Sequence, residues 1–371
     1  MTHRERANAV LHYQNFDKLP VVHFGFWSET KEKWYHEGHL TLEESLTPND
    51  RIPSEDVVGR KLGFDFGWGV AVGANTTLFP AFEDKILRTD PDGTEYYYNS
   101  DGVVVMHKPG STGIPAEVEH TLVDRASYEE HYKHRLQFTP DRLPKLTPER
   151  VAELNARDYP LGVSLGSLYG SFRNWAGVVG TSYLLADDEE LYTEIIDTVG
   201  AMTLQCVEEV LKSGVQFDYG HFWEDICFKN GPLVIPAVFD ELVGPWYKKI
   251  TDLAASHGID IVSLDCDGMI DSLIPTWLEN GVNTMYPIEV GTWGASIEPW
   301  RKQYGKPLRG IGGMDKRVFA GDYSDVDREV ERLRRLVDLG GYLPCPDHRI
   351  APDAKWENVQ YYVDKMQNLT L

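Results

Sequence analysis

From about Tyr159 onward, short apolar runs alternate with amphipathic helical patterns at a spacing of about 25 to 45 residues, the signature of successive βα units. The runs are Leu161–Leu165, Val215–Tyr219, Ile259–Leu264, Asn283–Pro287, Leu308–Ile311 and Gly341–Pro344. Between them lie the helical candidates Glu189–Lys212, Pro236–His257, Met269–Asn280, Ser296–Tyr304, Asp325–Leu339 and Trp356–Asn368. Leu19–Phe24 and Gly63–Val72 bring the apolar runs to eight. Eight parallel strands with helices between them close into a (β/α)8 TIM barrel, so the expected fold is α/β, one domain over residues 1–371.

One stretch breaks the rhythm. From Glu83 to His107 the turns Asp90-Pro-Asp-Gly93 and Asn99-Ser-Asp-Gly102 separate Ile86–Thr89, Tyr96–Tyr98 and Val103–Met106. Alternating strand and turn chemistry over such short distances predicts an antiparallel β excursion, placed at residues 80–135 in the N-terminal third. Arg125–Arg157, charged and proline-bearing, reads as a surface helix and linker. At the start, Thr2 and Glu5 have the spacing of a capping box.

With 371 residues, 42% of them hydrophobic, the chain can bury a large core. Its apolar stretches are too short to span a bilayer, so no membrane role is expected. The formal charge of −22 argues against a nucleic-acid partner. Cys206, Cys227, Cys266 and Cys345 form no CxxC pair, which points away from a disulfide framework and toward the cytoplasm. Whether the chain forms a homodimer stays open.

In a barrel of this type the functional side chains stand at the C-terminal ends of the strands. Position alone therefore selects His23 and Trp27; Tyr169 and Arg173; His221, Trp223, Glu224 and Asp225; Asp265, Cys266 and Asp267; Glu289; Asp315 and Lys316; and Cys345, Asp347, His348 and Arg349. Imidazole with carboxylate is a normal ligand set for zinc or ferrous iron, which makes Asp265, Asp267, Glu289 and His348 the metal candidates, with His221 also in view. The plainer reading is that strand-end acids cap the helices that follow them. His221, Glu224 and Lys316 are the catalytic candidates. His23, Trp27, Tyr169, Arg173, Trp223 and Arg349 are candidates for holding a small-molecule substrate, the aromatics serving either a flat apolar ligand or simply the core.

Other motifs carry less. Gly310-Ile-Gly-Gly-Met-Asp-Lys316 is glycine-rich after a strand, yet it has neither GxGxxG nor Walker spacing and reads as a tight turn presenting Lys316. Isolated cysteines are more often small buried residues than thiolate ligands. No GxSxG elbow or HExxH helix occurs.

The order of motifs resembles the uroporphyrinogen decarboxylase family, which shares one barrel superfamily with corrinoid-dependent methyltransferases and cobalamin-independent methionine synthase. The resemblance rests on Arg4-Glu-Arg6 through Leu19-Pro20, Gly231-Pro-Leu-Val-Ile-Pro236, Tyr247-Lys-Lys249, Ser256-His-Gly258, Gly312-Gly-Met-Asp-Lys316, and Gly340-Gly341 leading to Ala351-Pro-Asp353 and Glu357-Asn358. The arginine-rich signature with which the decarboxylases hold a polycarboxylate is replaced by Val21-Val-His-Phe-Gly-Phe-Trp27. In the methyltransferases a His-x-Cys and a late Cys bind zinc; the resemblance puts Asp265, Asp267 and His348 at those places, a harder ligand set.

The resemblance therefore implies a metal-assisted methyltransferase, with zinc as the expected ion, moving a methyl group between a small O- or N-methyl compound and a corrinoid protein or other carrier. The alternatives are a decarboxylase-like carboxy-lyase, with Asp267 stabilising a protonated intermediate while Arg173, Lys316 and Arg349 hold the substrate acid, and a catalytically silent binding barrel.

Overall fold

The structure, a computed structural model, describes residues 1–49, 52–110 and 115–369. Its strands are β1 (Val22–His23), β2 (Phe66–Gly67), β3 (Ala71–Val72), β4 (Lys85–Thr89), β5 (Glu95–Tyr98), β6 (Val103–His107), β7 (Ala116–His120), β8 (Gly162–Gly166), β9 (Tyr219–Trp223), β10 (Cys227–Phe228), β11 (Gly231–Pro232), β12 (Val262–Asp265), β13 (Thr284–Ile288), β14 (Arg309–Met314) and β15 (Tyr342–Pro346).

Seven of them form one parallel sheet in the order β3-β8-β9-β12-β13-β14-β15, which is also their chain order. Parallel neighbours require crossovers, and helices supply them. β1 and β2 make a separate parallel pair, Val22 against Phe66. An isolated parallel bridge joins Phe26 to Ile350, tying the chain beyond β1 to the chain beyond β15. Two backbone bonds fix it, Trp27 N to Ile350 O (3.2 Å) and Ile350 N to Gly25 O (3.0 Å).

The helices form for local reasons. Thr2 and Glu5 make the expected capping box on His3–Leu11. Tyr323–Val337 starts from a second box, Asp322 with Asp325, and buries Val326, Val330, Leu333, Leu336 and Val337 along one stripe. Each such side chain is worth about 1.5–3 kcal/mol when fully buried, so packing rather than propensity holds the helix.

Most strands start or end one to three residues later than their apolar runs. The largest departure is Val215–Tyr219, of which only Tyr219 is in a strand. Asp218 explains it: the carboxylate is tied to Arg157 Nη2 (2.5 Å) and Arg4 Nε (2.7 Å), which pins the run as a connection below the strand.

The antiparallel excursion is a four-stranded meander, β4-β5-β6-β7. Its fourth strand, Ala116–His120, lies beyond the strand-and-turn alternation of Glu83–His107 and is almost wholly exposed. Residues 111–114 of the 80–135 segment lie outside the described ones. The stretch 125–157 is not a surface linker throughout, because Tyr128, Tyr132, Leu136 and Leu154 are core residues and Arg142 is 2% exposed. Arg142 spends its guanidinium on the carbonyls of Gln137, Asn75 and Thr77.

The glycine-rich motif belongs largely to β14 itself. Gly312 has φ +120°, and a Cβ there would stand 2.4 Å from Ile288 N. Glycine serves the close approach of β13 and β14, so the motif is mostly strand instead of the tight turn expected. Among the described residues no helix is long and apolar enough to cross a membrane.

Candidate active site

Two carboxylates just beyond neighbouring strands, Glu224 after β9 and Asp267 after β12, have opposite surroundings. Glu224 is fully buried. It accepts hydrogen bonds from Leu168 N (2.9 Å), Tyr169 N (3.4 Å), Ser167 Oγ (3.3 Å), Gly170 N and the Tyr247 hydroxyl. Those amides open the helix Tyr169–Asp187, whose free N–H groups and positive dipole end are thereby satisfied. Burial pushes the Glu224 carboxyl up, against the pull of Tyr247 and the amides. Glu224 thus anchors a helix, and both of its oxygens, for which a catalytic role was expected, are taken up by protein donors.

Asp267 faces the opposite way. Its Oδ2 lies 3.2 Å from His348 Nε2, while its buried Oδ1 has no hydrogen-bond partner among the described residues. The His348 ring is stacked on Trp27 (centroids 5.4 Å apart, planes 22°) and tilted against Phe24 at 5.3 Å. Phe24 in turn meets Tyr286 at 4.7 Å, and Tyr286 meets His221 at 5.9 Å. His348 is thereby held in orientation by a carboxylate on one edge and aromatic rings on its faces. Nε2 is committed to Asp267, so Nδ1 is the ring atom left for a ligand.

Asp225 couples this pair to its neighbours. It occupies the left-handed region at φ +44°, rare for a residue with a Cβ. Its Oδ1 accepts from Asp267 N (3.2 Å) and its carbonyl from Arg173 Nη2 (2.9 Å). Burial raises the Asp225 carboxyl, and the Asp267 charge adds to it. Glu289, 6% exposed, is raised for the same two reasons. Its oxygens take Gly268 N (2.5 Å) and Thr292 Oγ1 (2.8 Å). Asp347 is raised by burial and accepts from Gly291 N (2.6 Å) and Lys316 N (3.3 Å). Lys316, half-buried, is lowered by desolvation, with Asp347, Asp267 and Glu289 opposing the drop. Glu289 and Asp347, both shifted upward, act with Asp267 on the half-buried Lys316, and Asp225 is raised beside Asp267, an acid-rich cluster of the kind in which proton-handling groups are found.

The other expected residues divide. His221 bonds Ser263 Oγ through Nδ1 (2.8 Å), and burial holds its imidazole near a pKa of about 4, hence neutral at pH 7. Trp223 is 37% exposed at the end of β9. Arg349 and Asp265 are both engaged with other groups of the protein, and the Asp265 charge acts on the buried Cys345 thiol. His23 offers nothing to a substrate: Nε2 lies 2.7 Å from Asp56 Oδ2, and Nδ1 accepts Gly25 N at 2.9 Å. Tyr169, 2% exposed, packs on Phe172 and Tyr192 in the core. Tyr286 was missed; it belongs to β13, where its apolar neighbours hid a side chain aimed at Phe24 and His221.

The four metal candidates do not converge. Among the described residues no three His, Cys, Asp or Glu side chains are arranged to hold an ion. Asp267 and His348 meet each other, Glu289 is held by Gly268 and Thr292, and the Asp265 charge is felt at the buried Cys345 thiol. A catalytic zinc takes three protein ligands, so the residues as placed do not fit one.

No curated protein sequence matches the chain. The solved structure of a methyltransferase from Methanosarcina mazei aligns with 99% of this chain and 98% of its own at 14% identity and a TM-score of 0.60, which shows a shared fold. A structure from Listeria monocytogenes assigned as a vitamin-B12 independent methionine synthase covers 62% of this chain and 70% of its own, at 12% identity and a TM-score of 0.34, too low to carry an argument. Residues 170–369 match the uroporphyrinogen decarboxylase (URO-D) family model, more than half of the 371-residue chain, and the protein belongs to that family.

Proposed function

We propose that the chain is a single (β/α)8 barrel over 1–371 with an inserted β-rich segment at 80–135, and that it transfers a methyl group from a small O- or N-methyl compound to a corrinoid carried on a separate protein. The observation that carries this is the Asp267–His348 pair at the strand ends. An O- or N-linked methyl group leaves only if the atom it leaves gains a proton or loses charge. A histidine oriented by a carboxylate and clamped between rings is built to deliver that proton. Trp27 and Phe24 fix the imidazole plane, and Asp267 fixes the ring edge at Nε2. Lys316, Arg173 and Arg349 bring positive charge to the same rim and orient an acidic group of the substrate. The corrinoid, when docked, supplies the nucleophile that takes the methyl group.

The carboxy-lyase reading draws on the family's defining activity, with Asp267 and the same cations in its roles. Against a polycarboxylate substrate stand Asp225, Asp267, Glu289 and Asp347, which would repel it.

The test is incubation of the purified protein with a panel of small O- and N-methyl compounds and chemically reduced cobalamin as acceptor. Demethylated product should appear with wild type and fall sharply in His348→Ala. Release of carbon dioxide from a carboxylic acid, without demethylation, would overturn methyl transfer in favour of the lyase.

A further inference from the structure

Behind the Asp267 turn two loops run side by side, 225–228 after β9 and 266–269 after β12. Asp225 Oδ1 takes Asp267 N at 3.2 Å, Ile226 N lies 3.4 Å from Cys266 Sγ, and Met269 N donates to Phe228 O at 2.8 Å. Gly268 lies so close that a Cβ on it would stand 2.7 Å from Cys227 O. This pairing sets Cys227 and Cys266 on facing turns, with the Cys266 sulfur against the amide of Ile226, next to Cys227, and the Cys227 carbonyl against Gly268. Both are free cysteines; Cys227 is half-buried, and Cys266 is 1% exposed. Neither thiol has a part in the proposed chemistry, and the other two cysteines, Cys206 and Cys345, are buried elsewhere.

We propose that Cys227 and Cys266 form a reversible disulfide under hydroperoxide stress, a clamp directly behind the acid that orients His348. Hydrogen peroxide reaches Cys227 first, because Cys266 is shielded. The Cys227 sulfur attacks the peroxide oxygen, becomes a sulfenic acid and releases one water. Cys266 then attacks the Cys227 sulfur, a second water leaves, and the S–S bond forms: two thiols are oxidised by two electrons and one peroxide is reduced to two waters. A thiol reductant reverses it. The bond would join the short hairpin of β10 and β11 covalently to the turn carrying Asp267, adding a link where weak contacts now hold the loops.

The experiment uses the full chain, treated with hydrogen peroxide, then alkylated and digested without reductant. The expected result is a linked Cys227–Cys266 peptide by mass spectrometry and loss of two of the four thiols, both reversed by dithiothreitol. Cys227→Ser and Cys266→Ala should each abolish the linkage, whereas Cys345→Ser should keep it. Should Cys266→Ala fail to fold, the exposed-side variant Cys227→Ser decides alone. Cys227 advancing to sulfinic acid with Cys266 still reduced, or thiol loss without the linked peptide, would overturn the proposal.

Discussion

Glu224 and Asp267 are both acids just beyond strand ends, on neighbouring strands, and they do unlike work. Glu224 is surrounded by donors, with three amides and two hydroxyls on its two oxygens. Asp267 keeps one buried oxygen unpartnered and gives the other to an imidazole. The difference teaches that saturation of a carboxylate, more than its place on a strand, separates an anchor from a reactive group. A saturated acid has nothing left for a ligand, whereas an unsaturated one costs stability that only binding or catalysis recovers.

The sharpest way to break this contrast is to remove each acid and compare stability with turnover. Glu224→Ala leaves the Tyr169–Asp187 helix without its N-terminal acceptor and the Tyr247 hydroxyl without a partner. We expect a loss of about 3 kcal/mol or more in urea unfolding, since hydrogen bonds to a charged group contribute about 1.5–3 kcal/mol each. A change below about 1 kcal/mol would show that the helix does not depend on this cap.

Next in size is the catalytic arm. His348→Ala should lower demethylation by about 10²- to 10⁴-fold, the range for a positioned acid, with stability within about 1 kcal/mol of wild type. Asp267→Asn should keep the fold and lose most of that activity. Equal losses of stability and rate in both variants would make Asp267 a second anchor and erase the comparison. The same assay after dialysis against a chelator tests the placement of the donors: activity should persist, and its loss with restoration by zinc would show that a third ligand moves in.

The strand ends were legible because apolar runs and helical spacing locate them whatever the side chains do, as Asp267, His348 and Lys316 show. The direction of a side chain was not legible. A shift of one residue reverses the face a strand residue presents, and apolar runs fix strand ends only to within a residue or two. Hence Glu224, one residue past β9, turned into the core, while Tyr169 opens a helix instead of ending a strand and packs beneath it. His23 failed for another reason: its partner, Asp56, is 33 residues away in sequence and no local pattern announces it. The Trp27–His348 stack joins opposite ends of the chain, and the bridge between Phe26 and Ile350 creates it.

A third effect belongs to the wall between the two acids. His221 is held near a pKa of about 4 by burial, below its ordinary 6.5. A folded-state value beneath the unfolded one means the unfolded chain binds more protons between them. Stability should therefore be intact above about pH 6.5 and decline as pH falls toward 4, by at most about 3 kcal/mol since each unit is worth about 1.4 kcal/mol. Urea midpoints across that window should show the slope in wild type and a shallower one in His221→Asn. Parallel slopes in the two proteins would mean that His221 does not set the acid limb.

The smallest effect is also the most selective. Trp27→Leu keeps an apolar side chain over His348 but removes the stacked ring, worth about 0.5–1.5 kcal/mol for an aromatic pair. If stacking only packs the rim, the loss falls on stability and turnover is unchanged. If it fixes the plane in which His348 delivers its proton, turnover falls by up to about tenfold with the urea midpoint nearly constant, because 1.4 kcal/mol of lost orientation is a factor of ten in rate.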